Sequence, residues 1–184
     1  MAQDLKSLVH EVLRDGFAVN LGVSDASGPW IAPVVYVFDD AFNLYWISIA
    51  DCQHSRAMAE NPNIAAVVIA THDTDKERAL QMSGRAMRVE GAMFELEQRL
   101  QAKRGMPAPQ SPGDILTDGY EWYKFTPDRF EITYNTLFGY DRQTYKPSAA
   151  ELSRTCTTSR RYGIARTVQA GDYSRRRSSI VSKS

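Results

Sequence analysis

Four residues could act on one ligand: Ser48 at the end of an apolar run, then His54, Ser55 and Arg56 together before Asn61-Pro62. A helix is expected to open there, at about Gln53. The N–H groups of a first helical turn are unpaired and carry partial positive charge, so they suit an anion. Ser55 adds a hydroxyl donor, Arg56 a forked cation that matches phosphate oxygens, and Ser48 a second hydroxyl. Phosphate is the anion such a group would take. The alternative is plain surface chemistry, with Ser55 steadying the first turn and Arg56 in solvent. No carboxylate is read as neutralising the arginine, so its counter-ion is expected to arrive with the ligand.

The elements that must position these residues follow from periodicity. Leu5, Leu8, Val9, Val12 and Leu13 share one face of a first helix that ends near Asp15-Gly16. In "FAVNLGVS" the alternation points Phe17, Val19, Leu21 and Val23 inward, and Asp25 to Gly28 turns the chain into "PWIAPVVYVFDD". "FNLYWISI" makes a third strand of a meander. The helix from Gln53 to Glu60 is stopped by Asn61-Pro62, because a residue before proline is pushed out of the α region. "NIAAVVIATH" and "RALQMSGRAMRVEG" read as further strands, the second with a bulge or close approach at Gly84. Phe94 to Lys103 reads as a helix, 105–119 as a loop, and "YEWYKFTPDRFEITYN" as one or two last strands. About six strands with few helices predict a mainly β fold, a small β-barrel with helices.

Bulk properties bound the rest. The chain has 184 residues, 43% of them hydrophobic, which is enough for one domain with a real core. Its zero net charge hides an asymmetry, since 146–184 carries +7 and the remainder −7. Few large apolar residues in 146–184 predict a basic, disordered tail after a domain of residues 1–145. Cys52 and Cys156 form no C-x-x-C pair, and the three histidines, His10, His54 and His72, have no metal spacing. The first 15 residues lack a signal-peptide core, and the longest apolar run, Ile64 to Ala70, is too short to cross a bilayer. A cytoplasmic protein with no membrane contact is therefore expected. Dinucleotide, P-loop, nucleophile-elbow and zincin motifs do not occur.

The succession "GPWIAPVVYVFDD", "LYWISIADCQHSRAMAENP", "IAAVVIA" and "LQMSGRAMRVEG" resembles the pyridoxamine 5'-phosphate oxidase-like family of flavin-binding split β-barrels, over roughly residues 15–140. The resemblance implies a six-stranded FMN-binding split barrel, a homodimer, and FMN in a groove between subunits. By this likeness Ser48, His54, Ser55 and Arg56 are the phosphate group. Pro33, Val34, Val35 and Tyr36 are the edge whose backbone lies along the flavin ring, with Trp46 beside it and Gln81 as a further polar contact. The partner subunit would close the groove with Trp122-Tyr123 or with Asn135 to Gly139. The sequence departs from the oxidase that makes pyridoxal phosphate: it ends in the basic tail and not in a substrate-reading strand rich in Arg, Trp and His.

The resulting expectation is a flavin-dependent oxidoreductase acting on a small molecule, with no catalytic side chain assigned. The alternative is a non-catalytic binding protein on the same barrel, holding flavin, deazaflavin or haem, with His54 or His72 as candidate iron contacts. A third class, nucleic-acid contact through Arg175-Arg-Arg177, is disfavoured because the tail lacks an aromatic platform. Asp39-Asp40 reads as a strand-ending turn, and burial explains Tyr36, Tyr45 and Trp46 about as well as ring stacking does. Cys52, near a helix start, reads as incidental.

Overall fold

Two helices and the bend of one strand decide where the candidate residues end up. The structure, a computed structural model, describes residues 4–152 apart from 72, 92 and 118. His72, Cys156 and Arg175 to Arg177, with most of the expected tail, therefore lie outside the described residues.

Helix α1 (Leu5–Asp15) buries Leu8, Val9, Val12 and Leu13, the expected face. Asp4 caps it by accepting a hydrogen bond from Lys6 N. Strands β1 (Ala18–Asp25) and β2 (Gly28–Val35) make the first hairpin. Val19, Leu21 and Val23 point inward, but Phe17 does not: it is 57% exposed. Phe17 sits in the link before β1, so the alternation of the strand does not govern it.

The chain continues through β3 (Val37–Phe38), β4 (Leu44–Ile49), α2 (Gln53–Glu60), β5 (Asn63–Thr71), β6 (Arg78–Val89), α3 (Phe94–Arg104) and β7 (Tyr120–Tyr134). All pairings are antiparallel, in the order β2-β1-β5-β6-β7-β4-β3. The two ends of that order, β2 and β3, are separated along the chain by Tyr36 alone. The sheet must therefore curl until its ends meet, and the expected strand from Pro29 to Asp40 is one bent strand shared between them. Counted that way the barrel has six strands. It is split because β2 pairs with β1 and β3 with β4, which leaves the outer edge of β2 open among the described residues.

The barrel interior is filled by Leu21, Leu44, Trp46, Leu80, Phe125 and Phe130, among others. A second apolar cluster lies outside it, where α3 sets Leu100 over Val37, Tyr45, Ile47 and Trp122. Strand β4 is thus covered on both faces, which is why "LYWISI" reads as a continuous apolar run. Helix α3 also buries Glu97, whose carboxylate accepts from Gly113 N at 3.0 and 2.9 Å and pins the 105–119 loop.

Sequence patterning did not reveal α4 (Asn135–Phe138), β8 (Gln143–Tyr145) or α5 (Ala149–Leu152). Glu151, within the segment that composition places in the tail, accepts from Lys6 Nζ at 2.6 Å, Tyr145 Oη at 2.9 Å and Ser148 N at 2.9 Å. These bonds, the Lys6 ammonium first, hold its carboxyl down at about 2, from an ordinary 4.5. A depressed carboxylate stabilises the fold above the unfolded value and loses that contribution as pH falls through the folded one. Glu151→Gln is therefore expected to raise amide exchange over 143–151 at pH 7. The parent should reach the same exchange only as pH falls from about 4.5 toward 2.

Candidate cofactor site

The cluster forms where β4 runs out and α2 begins. Ser48 is the last inward-facing residue of β4, and Cys52 N bonds back to Ile49 O at 3.2 Å to turn the chain into α2. Ala57 and Met58 bury the inner face of α2, and Asn61 N closes its end on Ala57 O at 2.8 Å. Packing thus fixes the direction in which the start of α2 points. Cys52 occupies the cap position but makes no side-chain capping bond. Among the described residues no side chain accepts from the first-turn N–H groups of α2.

Ser48, His54 and Ser55 do converge. Ser48 Oγ lies 2.9 Å from His54 Nε2, and both serines are buried. Burial pushes the His54 imidazole below its usual range, so the ring is neutral at pH 7 and acts through one donor and one acceptor nitrogen. Cys52 Sγ stands 3.4 Å from both ring nitrogens and 3.1 Å from Ser55 Oγ. The thiol, incidental by its sequence position, is a member of the cluster.

Arg56 corrects an expectation. Its guanidinium is not without a carboxylate: Nη1 donates to the backbone carbonyl of Asp51 and, at 3.2 Å, to Asp51 Oδ1. The Asp25 carboxyl also feels its charge. Both partners of the pair are exposed, 55% for the Arg56 side chain and 92% for that of Asp51. An exposed pair of this kind contributes about 0 to 1 kcal/mol. The arginine is held, but weakly enough to exchange its partner. Asp51 was missed because it lies five residues before Arg56 and outside α2, where helical spacing gives no signal.

The remaining candidates separate. Pro33 is exposed, and Val34 and Val35 are half-buried, on the open-edged strand β2. Tyr36 is fully buried, with its hydroxyl donating to Leu13 O at 2.7 Å. Burial pushes that phenol well above its ordinary range. Only the backbone of Tyr36 is left for an edge contact. Trp46 is likewise interior, stacked on Tyr123 at 5.8 Å and 17°, so its ring does not flank the edge. Trp122 and Tyr123 are buried in their own chain and cannot close a partner's groove. Of the two closing segments considered, Asn135 to Gly139 is the one still at the surface, with Leu137 exposed. Gln81 is exposed on β6, where Oε1 accepts from Arg142 Nη1 at 3.3 Å, and it does not reach the cluster within one chain.

The fold, a curled sheet of six antiparallel strands with added helices, has solved counterparts. A pyridoxamine 5'-phosphate oxidase-related, FMN-binding protein from Nostoc punctiforme superposes with a TM-score of 0.58 at 12% identity, covering 81% of this chain and 93% of that one. The chain has their split-barrel fold. General stress protein 26 from Bacillus anthracis matches at 0.57 and 18% identity, over 79% of this chain and all of the other. A haem-binding protein from Mycobacterium smegmatis matches at 0.58 and 15% identity, over 83% and 61%. No family model and no curated protein matches the sequence. Proteins of this fold are thus described as binding FMN in one case and haem in another. Among the described residues no helix is long and apolar enough to cross a membrane.

Proposed function

We propose that this protein is an FMN-binding flavoprotein of the pyridoxamine-phosphate-oxidase-like type, a cytoplasmic homodimer and a flavin-dependent oxidoreductase that acts on a small molecule. One observation carries the reading: the start of α2 has no side-chain cap, and it sits beside the buried hydroxyls of Ser48 and Ser55 and a weakly held guanidinium. Uncapped N–H groups, two hydroxyls and an arginine are a donor set for a phosphate dianion. Ser55 and the first-turn amides would hold the phosphate, Arg56 would leave Asp51 to face it, and Ser48 with His54 would fix the floor beneath. The open edge of β2, from Val34 to Tyr36, has backbone donors and acceptors for the polar rim of a flavin ring. Bound there, FMN would supply two-electron transfer, while the chain supplies position and exclusion of water.

The outer sheet face supports a second copy. Ile31, Gly22 and Ala65 form one cross-strand row and Pro33, Asn20, Val67 and Gln81 the next. Ile31 is 70% exposed, at the end of a row whose next members are too small to cover it. An exposed apolar residue on a face of small side chains, rimmed by polar Gln81, suits an isologous interface. It would bring Pro33 and Gln81 to the partner's edge.

The alternative is a non-catalytic binder of flavin, deazaflavin or haem. Both ring nitrogens of His54 already have neighbours, Ser48 and Cys52, which favours a phosphate-bearing flavin over iron ligation. The free thiol of Cys52 fits a reducing compartment. Purified protein should be yellow, release FMN on denaturation, rebind it at micromolar concentration and sediment as a dimer. A Soret band in its place would overturn the flavin reading in favour of haem, and failure to bind either would overturn the site.

A further inference from the structure

We propose that Lys103 and Arg99 form a capture site for a small carbonyl compound bearing a carboxylate, recognised by the arginine and held through a reversible imine to the lysine. The site is separate from the α2 cluster and depends on no cofactor. Spacing of i, i+4 sets the two side chains on one face of α3. That face leans on the bend between β2 and β3: Lys103 Nζ stands 3.8 Å from the centre of the Tyr36 ring, and Arg99 Nη2 donates to Phe38 O at 2.6 Å. This bond uses one of the five guanidinium donors and leaves the others for an anion.

Among the described residues no carboxylate lies within ion-pair distance of either cation. Like charges four apart on a helix cost stability. A position in the last turn of α3 accounts for a cation there, because the helix end is negative. It does not account for a half-buried amine laid on an aromatic ring next to a second cation. A carboxylate arriving between them would neutralise the pair.

Burial first, then the charge of Arg99, brings the Lys103 amine down to about 8. The face of Tyr36 works the other way, favouring the ammonium. Near neutral pH part of the amine is therefore free base and nucleophilic. Its nitrogen adds to the carbonyl carbon, both amine hydrogens leave with the carbonyl oxygen as water, and a C=N bond replaces C=O. Nothing is oxidised or reduced. The Tyr36 hydroxyl is tied to Leu13 O, so the ring beneath is a fixed floor.

Glyoxylate is the probe, with cyanoborohydride to trap the imine at about pH 7.5 and peptide mapping of the intact, folded protein as the readout. An amine titrating near 8 is free base on the order of a hundredfold more often than an ordinary lysine at that pH. Lys103 should be labelled at least about tenfold above Lys6, Lys76, Lys124 and Lys146, since nucleophilicity falls as basicity falls. In Arg99→Gln, labelling by formaldehyde, which has no carboxylate, should fall only as far as loss of the arginine's charge raises the amine, while glyoxylate labelling should lose at least about tenfold more, the carboxylate's share of its preference. Arg99→Lys should retain it. Even labelling across the lysines overturns the site. Glyoxylate and formaldehyde labelling that fall equally in Arg99→Gln overturn the arginine's role and with it the carboxylate class.

Discussion

Gly84→Ala should lower the stability of the barrel by about 3 kcal/mol or more, a large effect for a single methyl group. Gly84 is not among the glycines of positive φ, so the cost is one of space. A Cβ there would stand 2.2 Å from Thr126 O and 2.8 Å from Pro127 Cα. Both are backbone atoms of β7, and no rotamer change can move them aside. The pairing of β6 with β7 is the longest in the sheet and shifts register between Ser83 and Gly84, where the bulge brings the two backbones together. Relieving the clash would require parting the strands in the middle of that ladder, next to buried Met82 and Ala86. Ser83→Ala is the matched control. Its exposed hydroxyl bonds, among the described residues, to Asp128 at 2.9 Å, so the change should stay within about 0.5 kcal/mol. Urea unfolding of both variants checks the claim; a Gly84→Ala protein as stable as the Ser83→Ala control would mean the close approach is not rigid.

That glycine was legible in the sequence because a lone Gly inside a strand pattern marks a bulge or a close approach. The apolar face of α1 and the stop of α2 at Asn61-Pro62 were legible for the same reason: each follows from residues within one or two turns. What could not be read is non-local. The bend at Tyr36, which sends β2 and β3 to opposite ends of the sheet, leaves no mark in the unbroken apolar run from Val34 to Phe38. Period-2 alternation sorts the side chains of β4 into two sets. It does not say which set fills the barrel when α3 covers the other, so Trp46 and Tyr36 could be taken for groove residues while both lie inside. The bond from Lys6 to Glu151 joins residues 145 positions apart, and composition alone assigned Glu151 to the tail. At the site, Ser48, His54 and Ser55 were brought together as expected, since helix and strand ends are local features. The partner of Arg56 was not, because a carboxylate outside the helix has no fixed spacing to it.

Asp51 makes the phosphate assignment testable in two directions. Arg56→Ala is expected to weaken FMN binding by about 10- to 100-fold, the worth of a hydrogen bond to a charged group. Asp51→Asn is expected to strengthen it, by up to about fivefold, because the ligand's phosphate no longer has to displace a carboxylate from the guanidinium. If Arg56 were only a surface residue paired with Asp51, both changes would leave affinity where it was. If the pair were needed to build the cluster, both would weaken it. Opposite signs arise only when phosphate and Asp51 compete for one cation. Stability separates binding from folding: the pair is exposed, so each variant should unfold within about 1 kcal/mol of the parent. Salt gives an independent check, since the advantage of Asp51→Asn should shrink as screening weakens the carboxylate's hold on Arg56. Fluorescence quenching of FMN, titrated in parallel at low and moderate salt, reads both effects, and equal affinity in Arg56→Ala and parent would remove the phosphate from this site.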